Sequence, residues 1–262
     1  KSTQRARVHR PTHMDSIEIK RYGPKGKVVG VHRFLGLYTS VAYNQSPTRI
    51  PLLRQKVAIA IARAGFSSTG HDGKALLNIL ETYPRDELFQ VSDDELLETS
   101  LGILHLHERP RLRLFSRRDS FETYVSCLVF VPRDHFDSRF RKRITDVLAD
   151  AYDGTSQAFY TMLGDDPLAR LHVILKTTPG AIPEIEPTII EARLVAAMRG
   201  WDDNLRDALL AAHDEHRAAE LERTYGAVFP PGYRERFAAR AAVLDIERIE
   251  ESLAGHGFTL NL

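Results

Sequence analysis

The chain has 262 residues, 43% of them hydrophobic and 27% charged, with a formal net charge of +1 at pH 7. This composition is typical of a globular protein; it excludes a disordered or fibrous chain and gives no overall attraction to nucleic acid. One cysteine excludes an internal disulfide, and without a long apolar run or a signal-peptide pattern we expect a cytoplasmic protein that does not bind membranes.

The first predicted element is a β-hairpin over residues 16–43. Ile17 and Ile19 alternate with polar residues, and residues 23–26 (Gly-Pro-Lys-Gly) supply a turn. The second strand follows from residue 28, where β-branched and aromatic residues dominate. A start without Met and an apolar end over residues 258–262, which resembles a strand, lead us to expect a piece of a longer protein.

Three helices are predicted next, over residues 51–65, 72–83 and 93–108. Pro51 suits the first turn of a helix, and Gly65 suits a C-terminal cap. Ser92 and Glu95 have the spacing of a capping box, in which the side chain of each residue accepts a hydrogen bond from the backbone amide of the other. These local signals predict where the helices begin and end.

The middle of the chain changes period. Residues 111–117 alternate in polarity, and the segments that follow predict a strand at 121–131, a helix to residue 152, and strands at 156–163 and 168–176. A stripe of three residues on the helix is predicted to be buried: Phe140, Ile144 and Leu148. Strand, helix, strand, strand is three quarters of a ferredoxin-like unit, and no closing strand is evident after residue 176. Residues 185–253 are predicted to be short packed helices.

Common catalytic motifs are absent: the sequence has no dinucleotide, P-loop, esterase or zincin pattern. His213 and His216 are three apart and would share a helix face, so a metal site there is a possible function, although an exposed helix face is the simpler interpretation. Cys127 lies in the apolar strand and is predicted to be a core residue rather than a nucleophile.

The loop of Pro132, Arg133, Asp134 and His135 joins the buried strand to the next helix. A helix N-terminus favours an anionic group, and Arg133 offers two parallel donors to a carboxylate. The alternative is that Asp134 only caps the helix and Arg133 lies on the surface.

Three long strings together resemble one family, the large bacterial NAD-specific glutamate dehydrogenases. They are residues 30–40 (Gly-Val-His-Arg-Phe-Leu-Gly-Leu-Tyr-Thr-Ser), 83–90 (Tyr-Pro-Arg-Asp-Glu-Leu-Phe-Gln) and 126–134 (Ser-Cys-Leu-Val-Phe-Val-Pro-Arg-Asp). The resemblance implies a parent enzyme that converts L-glutamate to 2-oxoglutarate with NAD. It also implies that this piece is an N-terminal regulatory portion without catalytic residues and with no cofactor or metal of its own.

The resemblance also implies an α+β fold of several modules. Residues 1–110 would be a mixed α/β module of PAS-type or ACT-like fold, 111–182 a ferredoxin-like (ACT-like) antiparallel sheet module, 183–257 a helical module, and 258–262 the start of the next element. ACT modules often bind amino acids near the loop after their first strand. In this sequence that loop is Val131, Pro132, Arg133 and Asp134, the expected effector-binding residues.

The leading hypothesis is a non-catalytic regulatory and oligomerisation segment that senses a small effector such as an amino acid. Its partners would be other domains and subunits of a homo-oligomer, with no nucleic acid and no membrane. A purely structural assembly scaffold of the same enzyme is the first alternative. An independent enzyme, supported only by the pair of His213 and His216, is the second.

Overall fold

The computed structural model describes residues 2, 4–8, 11–67, 69–164 and 166–256. The chain divides into two compact units, the first ending at Arg109 and the second beginning at Pro110. Within the described ranges, no helix is both long enough and apolar enough to cross a membrane.

The first unit contains a hairpin followed by helices. The antiparallel strands are β1 (Asp15–Tyr22) and β2 (Val28–Gly36). The helices are α1 (Ser40–Asn44), α2 (Leu53–Ala64), α3 (His71–Thr82), α4 (Arg85–Gln90) and α5 (Asp93–Glu108). The predicted hairpin and three helices are confirmed, but the hairpin is shorter than predicted and α1 and α4 were not foreseen. The PAS-type assignment stays a prediction.

Local chemistry sets the ends of these helices. Ser92 accepts a hydrogen bond from the Glu95 amide at 3.2 Å, and the Glu95 carboxylate accepts one from the Ser92 amide at 2.9 Å, so the capping box at α5 is confirmed. Gly65 ends α2 with φ of +72°, in the left-handed region that glycine adopts at little cost. The helix begins at Leu53 rather than at Pro51, because Leu52 has φ of +69°, outside the right-handed helical region.

A four-stranded antiparallel sheet forms the centre of the second unit. Its elements in chain order are β3 (Arg113–Arg118), β4 (Tyr124–Pro132), α6 (Ser138–Ala151), β5 (Thr155–Met162), β6 (Leu168–Lys176) and α7 (Pro187–Met198). The strands lie in the order β3-β4-β6-β5, and every neighbouring pair is antiparallel.

The strand that closes this sheet comes from upstream. From β4 onward the order is strand, helix, strand, strand, helix, and β3 occupies the edge beside β4 that a final strand fills in a ferredoxin-like sheet. The topology is therefore a ferredoxin-like unit in which the last strand of the sheet comes first in the sequence. The closing strand that is not evident after residue 176 is therefore β3, which lies within the alternating segment predicted near residues 111–117.

The core of this unit lies between one face of the sheet and two helices. Val125, Cys127, Val129 and Val131 alternate along β4 and are fully buried on the helix side. They pack with the predicted stripe of α6 and with two fully buried residues of α7, listed together: Phe140, Ile144, Leu148, Ile190 and Leu194. Each such side chain contributes about 1.5–3 kcal/mol by leaving water. Cys127 is thus a core residue, as predicted, and α7 packs on the sheet although the sequence analysis groups it with the later helices.

The last four described α-helices form a second core in the same unit. They are α8 (Trp201–Ala212), α9 (Glu215–Tyr225), α10 (Pro231–Arg236) and α11 (Ala239–Glu251). Trp201 packs against Phe229 and Tyr233 in this core. Arg234 lies over the Trp201 ring and donates hydrogen bonds to the carbonyls of Phe229 and Gly226 at 2.8 and 2.7 Å. The strand predicted at residues 258–262 lies outside the described residues.

Candidate functional site

The loop after β4 begins in the core and ends at the surface. Val131 is fully buried, Pro132 is half-buried, and Arg133 and Asp134 are exposed in a short 3₁₀ turn. The Arg133 guanidinium donates to the carbonyl of Gly164 at 2.7 Å. The loop is therefore fastened to the turn that joins β5 and β6, and Val131 takes part in packing rather than facing a ligand.

Asp134 does not cap the helix that follows. The cap of α6 is Asp137, whose Oδ1 accepts a hydrogen bond from the amide of Phe140 at 2.5 Å. The alternative that Asp134 is the helix cap is therefore wrong, because Asp134 lies inside a 3₁₀ turn (Arg133–His135) and the helix begins only at Ser138. The amides at the start of α6 consequently lie beyond the predicted loop residues.

An open cleft of about 300 Å³ adjoins this loop. Its lining combines the residue that follows Asp134 with the end of α7 and one face of α8: His135, Met198, Arg199, Asp203, Arg206 and Asp207. Sequence reasoning missed the residues after 197. The spacing of these charged residues, three to four apart, indicates that they lie on one helix face. It does not indicate which loop lies next to that face.

The charges in the cleft are paired but exposed. Arg199 donates to Asp207 at 2.5 Å, and Arg206 donates through Nε to both oxygens of Glu222 at 2.9 Å. The Glu222 hydrogen bond raises the pKa of Arg206, which stays protonated. The Asp203 carboxylate accepts the Gly200 amide at 2.9 Å. Exposed ion pairs contribute only about 0–1 kcal/mol, so a ligand with both a carboxylate and an ammonium group can exchange with them at small cost.

The two candidate metal ligands do not share a helix. His213 follows the end of α8, Asp214 caps α9 through the amide of Arg217 at 3.0 Å, and His216 lies inside α9. The cap separates the histidines into different elements, so their predicted common face is wrong. His213 Nε2 instead lies 3.5 Å from a carboxylate oxygen of Glu247. In the part of the chain that the structure describes, no cluster of three or more His, Cys, Asp or Glu side chains is arranged to hold a metal.

Three family models match the chain in succession. Residues 50–109 match "Glutamate dehydrogenase, helical motif 1", residues 113–202 match "Glutamate dehydrogenase, ACT2 domain", and residues 208–251 match "Glutamate dehydrogenase, helical motif 2". The second match begins at the first residue of β3 and includes α7, in agreement with the packing of both elements on the sheet. The chain is an α+β protein that carries an ACT-like domain.

Similar proteins carry one name, "NAD-specific glutamate dehydrogenase". The protein from Halomonas elongata is 44% identical over 100% of this chain, that from Pseudomonas aeruginosa 36% over 95%, and that from Mycobacterium tuberculosis 31% over 90%. This chain covers 16%, 15% and 15% of those proteins, respectively. The chain belongs to the large NAD-specific glutamate dehydrogenase family, as the portion with the ACT2 domain and helical motifs 1 and 2.

Proposed function

We propose that the chain is a non-catalytic regulatory and oligomerisation segment of a large NAD-dependent glutamate dehydrogenase. The parent reaction would convert L-glutamate, NAD and water to 2-oxoglutarate, ammonium and NADH. The observation that carries this proposal is the succession of three glutamate dehydrogenase matches, one to an ACT2 domain and two to helical motifs, along one chain. The NAD-binding and catalytic residues would belong to other parts of the parent protein.

The effector that we propose is a free amino acid bound in the cleft beside the loop after β4. The cleft offers guanidinium groups at Arg199 and Arg206 for a carboxylate, and carboxylates at Asp203 and Asp207 for an ammonium group. The cleft joins the ACT-like sheet to the first helix of the second core. An amino acid that favours one arrangement of these parts would change the population of that arrangement, and a distant catalytic domain would respond to it.

The partners in this proposal are the other domains and subunits of the parent homo-oligomer, without nucleic acid or membrane. A cytoplasmic location is part of the same proposal. It is supported by a chain with a single, buried cysteine, as a reducing compartment favours.

Thermal unfolding of the chain tests effector binding, with each amino acid, 2-oxoglutarate and NAD added in turn. A ligand present at 100 times its Kd adds about 2.7 kcal/mol to stability. We expect one amino acid to raise Tm, and Arg206→Gln, a change in the cleft lining, to reduce that rise. Arg240→Gln, an exposed position on α11, serves as the control and should keep it. If none of these ligands raises Tm, effector sensing is refuted and the structural scaffold is favoured.

A further inference from the structure

The loop that joins β3 to β4 holds an aromatic side chain in solvent. Phe121 is 76% exposed at the tip of this loop. The next residue, Glu122, has φ of +54°, in the left-handed region that a residue with a side chain rarely adopts. Strained backbone persists only where surrounding contacts hold it, and it is concentrated at binding and catalytic sites. The tip of the loop is therefore a candidate for an interaction with a partner.

Hydrogen bonds on several sides hold Glu122 in this conformation. Its amide donates to the carbonyl of Asp119 at 2.8 Å, and its carbonyl accepts the hydroxyl of Thr177 at 2.8 Å. Its carboxylate accepts the amide of Gly180 at 2.7 Å. The amide of Phe121 donates to the Asp119 carboxylate at 3.3 Å. The backbone that carries Phe121 is thus fixed in advance, which lowers the ordering cost of binding.

The same contacts bring a second loop alongside, and the two loops share an uncharged surface. Thr177 also donates its amide to the carbonyl of Thr123 at 3.1 Å, so the residues after β6 lie against the loop between β3 and β4. The exposed residues of the two loops, called the loop surface from here on, are Ser120, Phe121, Thr178, Pro179, Gly180 and Ala181. None of these residues is charged, and the neighbouring Glu122 carboxylate is occupied by the Gly180 amide. An exposed aromatic ring among uncharged neighbours is typical of the centre of an interface.

We propose that the loop surface is a contact between domains, in which Phe121 enters an apolar pocket on a part of the parent protein outside these 262 residues. The length of the relatives supports this occupant, because the chain covers only 16%, 15% and 15% of them and most of the parent lies elsewhere. A projecting tip does not fit against its own copy, and the charged lining of the cleft beside the loop after β4 does not suit a phenyl ring. The inference specifies one contact for the domain partners of the proposed function and rests on that part of it.

Thiol labelling beside Phe121 tests whether the loop surface is covered. Ala181→Cys changes an exposed loop residue and keeps Phe121 in place. Peptide mass spectrometry separates the new thiol from Cys127 and from cysteines elsewhere in the parent. We expect the new thiol to be labelled at least about tenfold more slowly in the full-length protein than in the 262-residue chain. Equal labelling rates in the two proteins would overturn the proposal.

Adding Phe121→Ser to Ala181→Cys tests the role of the aromatic ring. Because Phe121 is mostly exposed in the chain, this change should leave Tm of the chain unchanged. In the full-length protein we expect it to restore labelling to within about threefold of the rate in the chain. Phe159→Ser, at a 46% exposed phenylalanine on the opposite edge strand β5, is the matched control and should keep the protection. Protection that survives Phe121→Ser would contradict an anchoring role for Phe121.

A photo-crosslinker identifies the occupant. In the full-length protein p-benzoylphenylalanine, which keeps an aromatic ring, replaces Phe121, and the irradiated protein is digested for mass spectrometry. We expect the crosslinked peptide to come from outside these 262 residues and to be rich in apolar residues. A crosslink to this chain, in the same or a second copy, or the absence of any crosslink, would overturn the proposal. Because neither Phe121 nor Ala181 lines the cleft, failure of these tests with a retained amino-acid Tm shift refutes this inference alone.

Discussion

Leu194→Ala should weaken the ACT-like sheet rather than the later helices. Leu194 is fully buried among the residues of β4, β6 and α6, and truncating a buried leucine leaves a cavity that costs about 3 kcal/mol. Val195, the next residue, is 40% exposed and provides a matched control. Val195→Ala should cost less than about 1 kcal/mol, because exposed positions lose little packing.

The chain carries its own probes for this experiment. Cys127, its one cysteine, is fully buried in the sheet, so a thiol reagent labels it only when the sheet domain opens. At about 1.4 kcal/mol per tenfold change, Leu194→Ala should speed labelling about 100-fold and Val195→Ala less than about fivefold. Trp201, the one tryptophan, reports the second core separately by its fluorescence.

The two probes also define the result that would refute this reasoning. If Leu194→Ala leaves the Cys127 labelling rate within about threefold of the unsubstituted chain while the Trp201 transition moves to lower urea, α7 stabilises the later helices and not the sheet.

Contacts in the second unit lead to three further predictions. Arg234→Ala removes two hydrogen bonds to carbonyls and a cation over the Trp201 ring. It should lower the free energy of unfolding by about 2 kcal/mol, measured by urea unfolding followed by Trp201 fluorescence. Full rescue by Arg234→Lys would contradict the role of the planar guanidinium. Hydrogen bonds from a tyrosine hydroxyl and an arginine lower the pKa of Glu250 below its usual 4.5, so the contribution of this carboxylate to stability is present above pH 4.5 and is lost as pH falls through the lower folded pKa. Glu250→Gln should therefore reduce the fall of Tm with decreasing pH in the acid range. An unchanged fall of Tm in Glu250→Gln would contradict this role. Burial raises the pKa of Tyr152 from 10.0 to about 12, so the contribution of the neutral hydroxyl to stability is complete below pH 10 and is lost as pH rises to 12. Tyr152→Phe should reduce the fall of Tm over this pH range. A steeper fall of Tm in Tyr152→Phe would count against burial of the Tyr152 hydroxyl as its cause.

Much of the local structure could be predicted because its causes are local. The capping box at α5 and the turn of the first hairpin depend on residues close in sequence, and both are confirmed. The stripe on α6 follows from helical periodicity alone. The choice of helix cap was not predictable in the same way, because Asp134 and Asp137 both precede α6 and only the backbone geometry of the 3₁₀ turn selects Asp137.

The remaining features depend on contacts between distant residues. The alternating pattern at 111–117 predicts a strand but carries no information about its neighbour, so β3 could not be recognised as the closing strand. In the same way, His135 lines one cleft with Arg199 and Arg206, which are more than 60 residues away in sequence. The predicted loop therefore adjoins the cleft, while most of the cleft's charged lining was missed.

The rate of NAD reduction with glutamate, measured in the full-length protein that contains this chain, tests the central claim most directly. The rate is recorded against the concentration of the amino acid that raises Tm of the chain, for the unsubstituted protein, Arg206→Gln and the control Arg240→Gln. We predict that the amino acid changes the rate and that only Arg206→Gln shifts the half-effect concentration, by at least about tenfold, or 1.4 kcal/mol. A rate that does not respond to the amino acid, or an equal half-effect concentration in all three proteins, would contradict a regulatory role for this cleft.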